Sequence, residues 1–291
     1  METSELIKKV RKIEIKTRGI TKQMFSGEYH SAFKGRGMAF NEVREYFPGD
    51  DIRSIDWNVT ARYATPFVKV FEEERELTVV LLVDISGSQR FGTQLQYKKD
   101  LVTELCAVLA FSAIQNNDKI GVILFSDVIE KFIPPKKGKY HALRIIRELI
   151  EFKPQNKKTE ISSALRYLTN VLKKRSIVFL VSDFLSGDYD AALRIAAKKH
   201  DTIAVQIYDK SEAELPNVGI LRVMDSETGK FSWVDTSSKN VRENYKEWWD
   251  SSQKNLSSLL NKNKVDLIKI RTDESYIAPL QNFFKKREHK R

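Results

Sequence analysis

An α/β fold, with a mostly parallel central sheet and helices on both faces, is predicted by three observations. Residues 77–83, LTVVLLV, form an unbroken run of Leu, Thr and Val, too short for a helix and rich in β-branched types. Comparable runs recur as KIGVILF at 119–125, SIVFLV at 176–181 and TIAVQI at 202–207. Stretches of helical period stand between them at the spacing of right-handed βαβ crossovers, and strands without polar alternation are those buried on both faces.

The elements follow in order. Residues 4–25 carry Leu6, Ile7, Val10, Ile13, Thr17 and Ile20 at helical spacing, predicting a first helix. Residues 26–76 then turn to Gly, Arg, Asp and aromatics, and Phe47-Pro48-Gly49-Asp50 has the chemistry of a type II turn. Asp50, Asp51 and Asp56 lie near Arg44, Arg53 and Arg62, which reads as a packed collar of ion pairs or as a partner-docking surface. The expected organisation is residues 1–76, a helix and an irregular segment packed on the main domain, followed by a main domain over residues 77–288.

Within that domain, helices are expected at 94–114, 140–152, 160–173 and 189–199, and a short edge strand at 128–133. The alternation breaks at 219–235, GILRVMDSETGKFSWVD, where two strand-like runs flank SETG and predict an inserted hairpin. A helix over 241–260, with Tyr245, Trp248, Trp249, Leu256 and Leu259 on one broad face, a strand over 265–270 and a helix over 275–285 close the chain.

Composition narrows the function class. Of 291 residues, 41% are apolar and 31% charged, as in ordinary globular proteins. The one cysteine, Cys106, rules out an internal disulfide and a cysteine-based zinc site, and reads as core filler. With no apolar run of membrane-spanning length, and with METSELIKKVRKIEIKTR lacking a signal-peptide core, the expectation is a cytoplasmic protein with no membrane segment. The net charge of +11 sits largely in clusters near the two ends, which read as solvated faces; a nucleic-acid-binding surface is the alternative.

One constellation carries chemistry. Asp84, Ser86 and Ser88 end the first strand, Asp183 ends a later one, and Thr159 stands in a loop before a helix. Five oxygen donors from three loops are thereby aimed at the sheet's carboxyl edge, where open α/β sheets bind ligands. Such donors suit a hard cation, Mg²⁺ or Mn²⁺, and few formal charges would leave it seeking an acidic ligand from a partner. The plainer reading is that these oxygens cap helices and turns.

At these residues the chain resembles the von Willebrand factor A fold and its metal-ion-dependent adhesion site, Asp-x-Ser-x-Ser followed by a Thr and an Asp. The block GRGMAFNEVREYFPGDDIRSIDWNVTARYATPFVKVFEEE, joined to DISGS and to the later SDFLS and DSETG segments, is similar to the bacterial domain-of-unknown-function family numbered fifty-eight. The resemblance implies a von Willebrand A-like, Rossmann-like domain acting with MoxR-type AAA+ ATPases or their client proteins, in chaperone-like maturation or activation of other proteins. Carried over by position, Asp84, Ser86, Ser88, Thr159 and Asp183 are the implied metal ligands.

Catalytic signatures are lacking. His30, His141, His200 and His289 form no close pair; no GxxxxGK[ST] loop or Gly-x-Ser-x-Gly elbow occurs, and the GRG at 35–37 reads as a flexible loop. The expectation is a non-catalytic adaptor, with nucleic-acid binding as the second possibility.

Overall fold

Strand β3 (Thr78–Asp84) is buried from Val79 to Asp84. It pairs in parallel with β4 (Lys119–Phe125) on one side and β6 (Ile177–Ser182) on the other, with Leu81 opposite both Val122 and Phe179. Strands β7 (Asp201–Tyr208) and β10 (Asp266–Arg271) extend the parallel set beyond β6. The sixth strand, β5 (Ile129–Lys136), runs antiparallel at the other edge, giving the order β10-β7-β6-β3-β4-β5. Pro134 and Pro135 are tolerated there because an edge strand has one unpaired side. Opposite them, a side chain at Gly121 would meet the Ile133 carbonyl and Pro135 at 2.9 Å, so only glycine permits this pairing.

This computed structural model describes residues 3–25, 39–63, 65–72, 76–87, 98–156, 158–224 and 230–289. Helices cover both faces of the sheet. Val80 and Leu82 point to one face, where they join Leu165 and Leu168 of α5 (Ile161–Val171), Leu193 of α6 (Asp190–Lys199) and Leu256 and Leu260 of α8 (Lys239–Lys262). Alternation sends Val79, Leu81 and Val83 to the other face, where Val83 lines a small pocket with Val102 and Leu149. Those two belong to α3 (Lys98–Gln115) and α4 (Lys139–Glu151). Each fully buried Val or Leu contributes about 1.5–3 kcal/mol, which makes β3 the axis of the core. The last helix, α9 (Ile277–His289), packs on β10.

The chain divides into two units, Phe33–Glu76 and Met1–Ala32 with Leu77–Arg291. The first helix, α1 (Thr3–Phe25), thus belongs with the sheet unit rather than with the segment that follows it, correcting the 1–76 grouping. Its physical tie is packing on α3 and α4, with Thr17 and Thr21 buried and ion pairs Lys16–Glu104 at 2.5 Å and Lys139–Glu14 at 2.8 Å. Ile7, expected on the buried stripe, is exposed.

The 33–76 unit is more regular than its composition suggests. Strand β1 (Ala39–Glu45) pairs antiparallel with β2 (Phe67–Glu72), enclosing a 3₁₀ turn (Ile52–Ser54) and helix α2 (Trp57–Tyr63). Aspartates set these turns. Asp51 accepts from the Arg53 amide at 2.9 Å, Asp56 accepts from the Asn58 amide at 3.0 Å and pairs with Lys69, and Asp50 takes both arms of Arg44 at 2.7 and 2.8 Å. Gly49 has φ +114°, as the Phe47–Asp50 turn requires. Of the expected pairs only Arg44–Asp50 forms among the described residues, and Phe47, Trp57 and Tyr63 are exposed because so small a unit cannot enclose them.

In the sheet unit, β8 (Ile220–Met224) and β9 (Phe231–Asp235) form an antiparallel hairpin; the SETG at its expected tip lies outside the described residues. Its register places Ile220, Met224, Phe231 and Trp233 on one exposed face, with the Arg222 guanidinium 3.8 Å from the Phe231 ring centroid. On α8, Trp249, Leu256 and Leu260 are buried while Trp248 is about half exposed, so the apolar stripe is narrower than expected.

Candidate functional site

Counted within the sheet, β3 is first, β4 and β5 lie to one side, and β6, β7 and β10 lie to the other. The chain's winding therefore reverses between β3 and β6, and the crevice beyond their carboxyl ends is where this topology opens a binding site. Asp84 is the last residue of β3 and Asp183 follows the last residue of β6. Val83 pairs with Val181, so Asp84 stands level with Ser182 and Asp183 comes one residue beyond; both carboxylates lie at this edge, 1% and 2% exposed, close enough for Asp183 to act on the charge of Asp84.

Local turns fix their orientation. Asp84 Oδ1 accepts from the Ser86 amide at 2.9 Å, while Oδ2 accepts from Ser182 Oγ at 2.7 Å. Asp183 Oδ1 accepts from the Leu185 amide at 3.1 Å, and its Oδ2 is buried without a hydrogen-bond partner. Between them stands Phe184 with φ 62°, a left-handed conformation uncommon for a bulky residue and costing on the order of 1–2 kcal/mol. The Phe184 amide donates to Ser182 Oγ at 3.1 Å, and its ring is buried beside Tyr189, so packing and hydrogen bonding hold the strained turn.

A lysine completes the centre. Lys98, the first residue of α3, is fully buried; its Nζ lies 2.5 Å from Glu212 Oε1 and 3.6 Å from Asp183 Oδ2. Glu212 is held by α7 (Lys210–Ala213), a short helix capped by Asp209. Its Oε2 accepts from the Asp209 amide at 2.8 Å, and its carbonyl accepts from the Tyr245 hydroxyl at 2.9 Å. Asp209 in turn accepts from the Ser211 amide and from Thr272 Oγ1.

The electrostatics follow from this burial. Desolvation, then the neighbouring Asp183, pushes the Asp84 carboxyl up to about 7, against the hydrogen bonds from Ser182 and Ser86. Burial also raises Glu212, opposed by Lys98. With all groups ionised, three carboxylates against one ammonium leave two uncompensated negative charges, the charge a divalent cation would neutralise. The donor atoms are hard oxygens, and Asp183 Oδ2 is buried with no hydrogen bond and with the Lys98 ammonium no nearer than 3.6 Å, so these residues fit Mg²⁺ or Mn²⁺. Among the described residues no three His, Cys, Asp or Glu side chains form a cage, so hydroxyls and water would supply the remaining ligands.

The structure describes four of the five sequence-derived positions. Asp84, Asp183 and Ser86 gather at the β3–β6 edge. Thr159 stands on the adjoining loop, tied to the Asp183 turn by Ser186 Oγ donating to its carbonyl at 3.2 Å. It lines an open groove with Phe184, Ser186, Tyr189, Trp248 and Leu256, whereas Asp84 and Ser86 line the separate pocket under α3 and α4. Ser88, His30 and the GRG at 35–37 lie outside the described residues.

Lys98, Glu212 and Ser182 were not singled out by sequence. The signal for Lys98 was present: it extends the buried stripe of Leu101, Val102 and Leu105 back by one turn. His141 and His200 are buried. His141 Nε2 lies 3.0 Å from the Ile120 carbonyl, and His200 Nδ1 accepts from the Ser176 amide at 3.3 Å. Cys106 is core, as its sequence context suggests. Among the described residues no helix is long and apolar enough to cross a membrane.

An uncharacterized protein of Mycobacterium tuberculosis is 26% identical to this chain over 289 residues, covering 97% of this chain and 90% of that protein. The crystal structure of conserved hypothetical protein BatB from Bacteroides thetaiotaomicron covers 73% of this chain and 99% of its own, at 16% identity and TM-score 0.48. The SpRpn10 VWA domain covers 72% of this chain and 94% of its own, at 12% identity and TM-score 0.41. Residues 42–255, most of the chain, match the family described as Protein of unknown function DUF58, and the chain belongs to that family.

Proposed function

We propose that this protein is a non-catalytic interaction module that docks a partner's acidic side chain at the carboxyl edge of its sheet through a bound Mg²⁺ or Mn²⁺. The observation that carries this reading is the pair of buried carboxylates, Asp84 and Asp183, brought to the same edge where the winding of the sheet reverses and close enough to oppose each other's ionisation. Asp84, Asp183 and Ser86, with Thr159 of the adjoining loop, are the residues that would hold the ion, and the family resemblance adds Ser88. The ion would supply open coordination positions for a carboxylate from outside.

The chain's own contribution is preorganisation. Ser182 and the Ser86 amide hold Asp84, the Leu185 amide holds Asp183, and the strained Phe184 turn keeps the Asp183 loop at the edge. The partner class comes from the family resemblance: a MoxR-type AAA+ ATPase or its client, met in the cytoplasm during maturation or activation of other proteins.

The test is direct binding of this protein to a purified MoxR-type ATPase from the same organism, measured by calorimetry in Mg²⁺ and in EDTA. Binding in Mg²⁺ that disappears in EDTA supports the reading. Binding of equal strength in both would overturn the role of the ion, and capture of nucleic acid that falls steeply with salt in either condition would favour the basic surface.

A further inference from the structure

Lys98 is a costly feature among the described residues: its side chain is fully buried. A lysine with no exposed side-chain surface lies between two acidic groups, and replacing a buried ion pair by apolar residues is often neutral or stabilising. Stability alone does not account for it. The two contacts of its ammonium are unequal: 2.5 Å to Glu212 is a charge-assisted hydrogen bond, while 3.6 Å to Asp183 is too long for one.

Glu212 is fixed at both oxygens, one on the Asp209 amide and one on Lys98, and α7 fixes its backbone. Asp183 is fixed through Oδ1 by the Leu185 amide, and only its Oδ2 is free of hydrogen bonds. Of the three, Lys98 alone carries its charge on a four-carbon stem, and rotation of its terminal bonds would move that charge from one carboxylate toward the other.

We propose that Lys98 is a built-in cation that competes with the divalent ion for Asp183, and that Glu212 sets the outcome by holding the ammonium away. This rests on the metal reading of the site and specifies what regulates it. With Lys98 on Glu212, the free oxygen of Asp183 is available to an ion. With Lys98 turned to Asp183, that oxygen is taken and the approaching ion meets a like charge. Anything that competes for Glu212 would then lower the site's affinity for metal.

The experiment is calorimetric titration of the full chain with MgCl₂ and, separately, MnCl₂, with Mn²⁺ paramagnetic resonance as a second readout. The variants are Glu212→Gln, the double variant Lys98→Gln with Glu212→Gln, and Asp183→Asn as the control. The double variant removes one charge of each sign, so distant electrostatics stay constant and a change reports the local competition. It should bind Mn²⁺ about tenfold tighter than the parent, and Glu212→Gln about tenfold weaker.

Equal affinity in the parent and the double variant overturns the competition while leaving the metal reading intact. Absence of binding in the parent and in both Lys98 and Glu212 variants overturns both. Circular dichroism melts establish folding. Should the double variant not fold, Glu212→Gln decides alone: unchanged or tighter binding in it contradicts the proposal.

Discussion

The two ends of the same sheet each place one cation between two carboxylates, with different results. At the amino ends of β7 and β10, Arg287 reaches Asp201 through Nη1 and Nη2 at 2.9 and 2.7 Å and Asp266 through Nε at 2.7 Å. These carboxylates keep partial contact with solvent, and together they hold the guanidinium above its ordinary pKa against the cost of burial. At the carboxyl end, Lys98 is sealed from solvent, makes one short bond to Glu212 and leaves an oxygen of Asp183 without one. The arginine cluster is satisfied and ties α9 to the sheet. The lysine cluster leaves a buried carboxylate oxygen, Asp183 Oδ2, without a hydrogen bond.

The largest expected effect comes from removing the buried lysine alone. Lys98→Met leaves Glu212 and Asp183 buried without their cation, and urea denaturation should show a loss of about 3–5 kcal/mol. Saturating Mn²⁺ should restore part of it, since binding to the folded state alone stabilises it. Arg287→Gln should cost less, about 1.5–3 kcal/mol, because its carboxylates can turn to water. A loss as large as that of Lys98→Met would erase the distinction between the two ends.

A pH effect should come from the amino end. His200 is buried between strand starts, with Arg175 and Lys199 nearby, and desolvation first, then these charges, lowers its pKa to about 4. A base depressed in the folded state favours folding fully above its unfolded value near 6.5, and that contribution is lost as pH falls toward 4. After allowance for screening, stability should drop by about 1–2 kcal/mol over that window, and His200→Gln should flatten the profile. The smallest stability effect is expected from Asp84→Asn, which removes a carboxylate raised by burial and by Asp183. Its melting temperature at pH 8 should match or slightly exceed the parent's, while Mn²⁺ binding is lost.

Much of this architecture is legible in sequence because both-face burial leaves an unmistakable composition. The runs at 77–83, 119–125, 176–181 and 202–207 all became sheet strands, and the strand ends located Asp84 and Asp183. What sequence could not supply was the long-range closure of the site. Glu212 is 114 residues from Lys98, and Ser182 is 98 from Asp84, so neither pair has a local signature. A lysine heading an apolar helix also reads as a solvated first turn unless the buried stripe is extended backward through it. The grouping of α1 failed for a related reason: a helix packs where its face fits, not with its neighbour in the chain.

The most direct measurement of the central claim compares Asp183→Asn and Asp201→Asn, one carboxylate from each end, in binding to the MoxR-type ATPase with Mg²⁺, below the melting temperature of both. The account predicts that Asp183→Asn abolishes binding with its melt nearly unchanged, and that Asp201→Asn lowers the melt while its Kd stays that of the parent. Parental affinity in a cooperatively folded Asp183→Asn would contradict it.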